Sequence, residues 1–527
     1  MIIPSSQPNL QSGVVNEPSP QEIDALLALF KQGRYTETET LARKMTERFS
    51  RHVFGWKAMG TVLLLQGRIE EALLPLQKAS ELSQGDAQLY NNLGNALVKL
   101  DRLPEAEASY RKAIAVNPDF IEAHHNLGNT LARLDQPSEA EKCYRQALKL
   151  DPGFVEAYHR LGNTLAKLDR LPEAEASYRR ALELRPDLAE VHNNLGNALQ
   201  KLTRLNEAEA SYRRALELNP DFARAHRNLG VNLNDQGRLA EAEASYRRAL
   251  QLDPDFAEAH FNLGNTLKKQ GNFEAATASF RSCLEIDPKD HRGARLLLAS
   301  LGVEPIPLRA SEALLEAFYT MKAAVWDKNL GHNQTYYGAR LVAQALQSQS
   351  HQSGKLDILD AGCGTGQVGL LIRDLASRLD GVDMSSSMLE SARKKEIYDN
   401  IFLSDLESFM ENNPHQYDAI TCAATLIHFG DLSPVFNAAS ACLRDDGLLV
   451  FTVFQNDSDQ DGQGVIVSQI DGLAKSGCYA HSRDYVISTA ETAGFIVEIL
   501  NTEIHEYRQD NGLPIMCFVV VLRRLSA

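Results

Sequence analysis

The sequence has no apolar run long enough to cross a bilayer. Its start, MIIPSSQPNL, lacks the basic segment and following apolar stretch of a secretory leader. Together these absences make the cytoplasm the expected location. Cysteine is sparse: the seven are an odd number, scattered, and never spaced C-x-x-C. That pattern builds no metal site and fits reduced thiols. Basic charge is scarce in one half only. Residues 1–302 carry 38 Lys+Arg against 40 Asp+Glu, whereas residues 303–527 carry 16 against 29. An acidic second half repels phosphates and argues against a nucleic-acid partner. With 44% hydrophobic and 23% charged residues, a wholly disordered chain is excluded. The charge asymmetry marks two domains within a length of 527 residues that allows two to four.

What is present is, first, a repeat. Residues 87–120, AQLYNNLGNALVKLDRLPEAEASYRKAIAVNPDF, recur without insertion in five further 34-residue windows ending at 290. The window 53–86 fits more loosely, and 19–52 is a marginal eighth copy. Each unit holds a Leu-Gly pair (Leu93-Gly94 to Leu263-Gly264), an alanine (Ala106 to Ala276), an aromatic (Tyr110 to Phe280) and a closing proline (Pro118 to Pro288). Apolar spacing of three and four predicts two amphipathic helices per unit. The glycine and alanine let helices approach closely, and the aromatic is expected to fill the gap to the next unit. Pro104 and Pro172 suit a first helical turn, and the closing proline stops the second helix. One such unit cannot bury its apolar face, so the stack is the folding unit. This pattern resembles the tetratricopeptide repeat family over residues 53–290. The resemblance implies a helical solenoid with a concave peptide-binding groove.

Two asparagine rows share one face of the first helices, at i, i+3 spacing. One row is Asn92, Asn126, Asn194, Asn228 and Asn262, with Arg160 the exception; the other is Asn95, Asn129, Asn163, Asn197 and Asn265. Asparagine both donates and accepts, so such a ladder can satisfy an extended peptide backbone. The alternative is that these amides only bond within the repeats. A basic row (Lys99, Arg133, Lys167, Lys201, Lys269), broken by Asp235, favours acidic partners.

In the second half, LDILDAGCGTGQVGLLI at 356–372 reads as strand, glycine loop and helix. A second strand ends in Asp383 and a third in Asp405; Asp360 stands two residues before Gly362. The glycines follow G-x-G-x-G. A nicotinamide-binding loop follows G-x-G-x-x-G around a pyrophosphate, which disfavours adjacent carboxylates. A ligand with an ammonium, a ribose and an adenine but no phosphate suits three acids better, which points to S-adenosylmethionine. Further strands are expected at 417–424, 447–454, 494–500 and 515–522, with helices at 432–443 and 482–493. The last two strands form a hairpin that inserts one antiparallel strand.

From about residue 311 to 524 the chain resembles class I S-adenosylmethionine-dependent methyltransferases. The whole order resembles bacterial repeat-containing predicted methyltransferases. By that resemblance the fold is multidomain: an all-α tetratricopeptide solenoid, then a Rossmann-like α/β domain with an antiparallel last strand. Residues 1–18 are expected to be disordered, 19–302 to be the solenoid with a capping helix, 303–310 a linker and 311–527 the methyltransferase domain. The resemblance assigns Asp360, Gly362, Cys363 and Gly364 to the methionine part. Asp383 takes the ribose, Met384, Asp405 and Leu406 the adenine, and Ala423 the sulfonium end. The segment 318–337, with Trp326-Asp327 and Tyr336-Tyr337, resembles a lid, with Tyr337 as a cofactor contact. His428 and His481 are candidate bases, and Tyr479 and Tyr485 candidate acceptor-pocket residues. The expected function is methyl transfer from S-adenosylmethionine, with the repeats recruiting a protein, a peptide or another large acceptor. The alternative is a repeat scaffold whose cofactor domain is sensory or inactive. No membrane and no metal is expected.

Overall fold

The computed structural model describes residues 17–83, 85–332, 337–349, 354–456, 465–467, 478–507 and 513–526, without the side chains of 324–332 and 465–467. The expected disorder at 1–18 therefore falls, up to residue 16, outside the described residues. So do Tyr336 and the side chains of Trp326 and Asp327. The chain divides into two compact units, residues 1–241 and 242–527.

The first unit is built of helix pairs. They run from Pro20–Lys31 with Tyr35–Arg48 to Ala189–Lys201 with Leu205–Leu218, and Ala223–Asp235 follows. The loose copy at 19–52 makes a full pair, opened by a Ser19–Glu22 capping box. Proline occupies the first turn of Leu103–Val116 and Leu171–Leu184. Each of those helices stops at an extended residue that precedes a proline, Asn117 and Arg185.

The aromatic sits elsewhere than expected. It packs within its own unit, on the glycine of the first helix: a Cβ on Gly94 would lie 2.5 Å from the Tyr110 ring, and one on Gly162 2.5 Å from Tyr178. Only a bare backbone lets the ring lie that close. Each hydroxyl then donates to the next asparagine, Tyr110 to Asn95 at 2.7 Å and Tyr178 to Asn163 at 2.8 Å.

The second unit holds the last complete pair, Ala257–Lys269 with Phe273–Ile286, and the cap Ala294–Ser300. Asp290 fastens that cap. Its carboxylate accepts the amides of Ala294 (2.6 Å) and Arg295 (3.2 Å), and its carbonyl takes the Ser311 hydroxyl (2.8 Å). Leu296 and Ala299 of the cap join Ala310, Leu314, Leu315 and Tyr479 in one buried cluster.

The stretch 303–310 is more than a tether. Gly430 and Asp431 donate to the Leu308 carbonyl at 2.7 and 2.9 Å. Ala310 donates to the His428 carbonyl at 2.9 Å, and Arg309 bridges Phe429 antiparallel.

Beyond it lies a nine-stranded mixed sheet. Its strands are β1 (Leu356–Ala361), β2 (Ala376–Asp383), β3 (Asn400–Leu403), β4 (Tyr417–Cys422), β5 (Leu443–Gln455), β6 (Val465–Val467), β7 (Tyr479–His481), β8 (Phe495–Tyr507) and β9 (Pro514–Arg524). The order is 3-2-1-4-5-7-6, with β9 antiparallel to both β5 and β8. Strands β1 to β5 are parallel; β1, β4 and the paired stretches of β2 and β5 are buried on both faces, which is why they read as apolar runs, whereas the edge strand β3 is largely exposed. Ile358 faces a layer with Val342, Val368 and Ile372; Leu359 faces the opposite one, with Phe409, Phe436 and Val486. The chain reverses direction across β1, between β2 and β4. Crevices outside the carboxyl ends of such strands are where ligands bind.

Among the described residues no helix is long and apolar enough to cross a membrane.

Candidate functional site

The glycine loop joins β1 to the helix Gln367–Ile372. Gly362, Gly364 and Gly366 all have positive φ, at 73°, 54° and 88°, a region costly for other residues. Their surroundings differ. A Cβ on Gly362 would strike Thr425, while one on Gly364 would meet nothing within 4 Å. Gly364 therefore faces open space, whereas Gly362 is clamped by Thr425.

The loop amides are largely spent. Gly362 and Cys363 donate to the Val382 carbonyl at 2.8 and 3.0 Å, and Gly364 donates to Asp383 Oδ2 at 2.9 Å. Asp383 Oδ1 accepts the Ser385 amide at 2.8 Å. Burial raises the Asp383 pKa, while the amides of Ser385 and Gly364 oppose that rise. The Met384 amide also favours the charged form of this half-buried carboxylate.

Asp360 is placed differently from the expectation of an open carboxylate. It is 1% exposed. Its Oδ2 accepts the Tyr398 hydroxyl at 2.6 Å and its Oδ1 the Thr421 hydroxyl at 3.1 Å. Burial pushes its pKa to about 6 against those two hydrogen bonds. The side chain lies beneath the loop, between β1 and β4, and is satisfied by protein groups.

Asp405 stands just past β3, whose Leu403 pairs with Asp383. It caps the helix Leu406–Glu411: Oδ2 accepts the Ser408 amide and hydroxyl, both at 3.1 Å. Its Oδ1 takes Arg309 at 2.8 Å. Burial alone would raise its pKa, but the Ser408 amide and the Arg309 charge hold it below the usual range. Leu406 is buried among the sheet's apolar side chains, and Met384 is partly buried against the Leu296–Leu314 cluster.

Opposite the loop, Ala423 is partly exposed and Ala424 has φ 54°. This strained backbone is anchored by the Ala424 amide donating to Thr452 at 3.0 Å. His428 follows in the turn Leu426–His428, 4% exposed. Its Nε2 is 2.6 Å from the Tyr319 hydroxyl, its ring meets Tyr319 edge-on at 5.6 Å, and Cys478 Sγ is 4.0 Å from Nδ1.

Three expectations need correction. His481, expected as a candidate base, ends β7, is fully buried and lies stacked on Tyr485. Burial lowers its pKa to about 4, which favours the neutral ring. Tyr485 holds a turn: it accepts from the Leu432 amide and donates to Asp431, both at 3.0 Å, while Tyr479 is wholly buried. Tyr337 contacts β8: its amide donates to His505 at 2.8 Å and its ring meets Tyr507. The loop and β2 lie on the other side of β5. Tyr319, Tyr398, Thr421, Thr425 and Arg309 carried no spacing signal, because each acts through a partner distant in sequence.

The asparagine ladder of the first unit is partly internal. Asn126 donates to Asn91 and Asn95 at 3.0 and 3.3 Å, Asn194 to Asn163 at 3.0 Å, and Asn228 to Asn193 at 2.9 Å. Tyr144 and Tyr212 donate to Asn129 and Asn197, both at 2.8 Å, and Gln88 donates to Asn92 at 3.0 Å. The oxygens of the second row are thus fixed by tyrosines, which orients their NH₂ groups. Grooves of about 410 and 700 Å³ run along this face. In the second unit Asn265 donates to the Phe261 carbonyl at 3.1 Å, while the buried Asn262 amide nitrogen has no partner among the described residues.

Comparison with known proteins agrees with both halves. Tetratricopeptide-repeat family profiles match residues 60–101, 94–135, 121–154, 154–221, 232–271 and 257–290. A methyltransferase-domain profile matches residues 330–498. A ubiquinone biosynthesis O-methyltransferase of Actinobacillus pleuropneumoniae serotype 5b (strain L20) is 27% identical over 146 residues, 26% of this chain and 62% of that protein. A malonyl-[acyl-carrier protein] O-methyltransferase of Acetivibrio thermocellus is 33% identical over 102 residues, 19% of this chain and 36% of that protein. The chain thus spans less than two thirds of these relatives. The crystal structure of YrrB, described as a TPR protein with an unusual peptide-binding site, aligns with 34% of this chain and 92% of that one, at 28% identity and a TM-score of 0.30. Tetratricopeptide repeats between residues 60 and 290 and a methyltransferase domain over residues 330–498 make this chain a fusion of the two.

Proposed function

We propose that the chain is an S-adenosylmethionine-dependent methyltransferase whose repeats recruit a protein, a peptide or another large acceptor. One observation carries the cofactor reading. The carboxylate of Asp383 is seated on the Gly364 amide, within the loop that a dinucleotide would need for its pyrophosphate. With the amides of Gly362 and Cys363 already spent on Val382, the loop offers no nest for a phosphate, and the acid repels one. A ribose without phosphate suits a carboxylate at this strand end, which can accept from its hydroxyls.

Asp383 would hold the ribose hydroxyls, and Asp405, Met384 and Leu406 the adenine. Gly364 and Ala423 would flank the methionine end. Asp360 acts one layer below, keeping β1, β4 and Tyr398 in register under the loop. When bound, S-adenosylmethionine supplies a methyl group on a sulfonium. The chain's own work is alignment and exclusion of water. A base is needed only for a protonated acceptor. His428, buried and held at Nε2 by Tyr319, is the candidate base kept here, in preference to His481. The relatives' names support oxygen as the acceptor atom.

Calorimetry of the full chain with S-adenosylmethionine tests this reading. Asp383→Ala is expected to weaken binding by roughly ten- to a hundredfold, the size of hydrogen bonds to a charged group. An unchanged constant would remove the ribose assignment. Binding without transfer of labelled methyl to any component of a bacterial lysate would favour the scaffold alternative.

A further inference from the structure

One repeat departs from its neighbours at four groove-side or helix-end positions. In helix Ala223–Asp235, Arg224 stands where the preceding and following units have Glu190 and Glu258. Arg227 stands at a position that varies along the array (Asn91, His125, His159, Asn193, Phe261), while Val231 replaces Asn197 and Asn265, and Asp235 replaces Lys201 and Lys269. The neighbouring helices place acid first and base last, as the helix dipole favours. This one reverses both, against the dipole. A near-identical array that breaks its own rule at a cost in stability marks a site selected for something else.

The side chains give that break a chemistry. Arg227 donates through Nη1 to Asn228 at 2.9 Å, yet its Nε is buried without an acceptor. It lines the 700 Å³ groove with Asn197, Lys201, Asn228 and Val231. Lys201 is exposed and forms no ion pair among the described residues. Asp235 is occupied by Gln200, at 2.7 Å, rather than by either cation. A guanidinium lacking one acceptor, a lysine lacking its counter-ion and an apolar side chain where an amide is usual thus meet in one groove.

We infer that repeat 223–256 sets the register of the groove, taking a carboxylate side chain of an extended peptide on Arg227 and Lys201 and an adjacent apolar side chain on Val231. This rests on the recruitment role proposed above. Units that are alike along their asparagine rows would let a peptide backbone slide by one repeat at little cost, and an anion-binding subsite in one unit reduces that degeneracy.

The probe is a random dodecapeptide display library panned on the full chain. Enriched peptides are expected to share an Asp or Glu at a fixed distance from an apolar residue. Their synthetic copies should bind roughly tenfold more weakly, by fluorescence anisotropy, after Glu→Gln or Asp→Asn exchange in the peptide or Arg227→Asn in the protein. Arg227→Asn restores the residue at 193, so the helix keeps its pattern, and circular dichroism checks that it folds. Enriched peptides without a shared acid, or binding indifferent to Arg227→Asn, would overturn the subsite and leave recruitment standing. No enrichment at all would overturn both.

Discussion

Asp360 and His481 are both sealed from solvent, and their stabilities respond to pH in opposite senses. A carboxyl with a pKa of about 6, against an ordinary 3.8, is favourable to the fold while protonated. As pH rises through that window the buried charge costs roughly 3 kcal/mol. A histidine at about 4, against 6.5, stabilises as the neutral ring, and that contribution is lost as pH falls from 6.5 toward 4. Urea unfolding at intervals from pH 4 to 7 should separate them. The stability of Asp360→Asn relative to the unaltered chain is expected to rise with pH until about pH 6 and then level. That of His481→Phe is expected to fall over the same range. Parallel curves would mean that neither group is held as described. Neither burial could be read from the sequence. Asp360 advertised itself by its place before Gly362, but the Tyr398 and Thr421 hydroxyls that occupy it lie 38 and 61 residues away.

At the level of elements, the first-helix glycines are the clearest case of sequence dictating packing. At Gly162 an added methyl would sit 2.5 Å from the Tyr178 ring, which is almost fully buried and cannot step aside. Gly162→Ala is expected to destabilise the array by about 1–3 kcal/mol, and Tyr178→Phe, which removes only the bond to Asn163, by about 1 kcal/mol. Denaturant midpoints of the two variants measure this, and equal costs would mean that the ring has room. The 34-residue period made the recurrence of glycine and aromatic legible but not their pairing: spacing alone pointed the aromatic to the next unit, whereas it packs on the glycine of its own. The strands around the glycine loop were legible for a related reason: a parallel strand buried on both faces leaves an unbroken apolar run. β6 and β7 were not, being three residues each and defined only by pairing with one another and with β5. The asparagine rows were found by spacing, but their bonds to one another across successive repeats, and to the tyrosine hydroxyls within a repeat, required the side chains to be seen in place.

For the whole molecule, the charge and repeat boundaries near residue 302 suggest a cut that the packing does not favour. The second compact unit begins inside the array, at Ala242. Its cap buries Leu296 with Leu314 and Tyr479, and Asp290 holds Ser311. A fragment of residues 239–527 is expected to bind S-adenosylmethionine like the full chain. One of residues 303–527 should lose about 2–5 kcal/mol of stability, as for truncated core leucines. Thermal melts of both fragments decide this, and equal midpoints would show the cap to be dispensable.

The backbone pairing of residues 308–310 with the turn after β4 carries this further. A domain recombined onto a foreign carrier at residue 311 would leave behind Arg309, the cation on Asp405, and the carbonyl that Gly430 and Asp431 share. In evolution as in engineering, the portable catalytic cassette therefore includes a few residues that a reader of domain boundaries would assign to the neighbour.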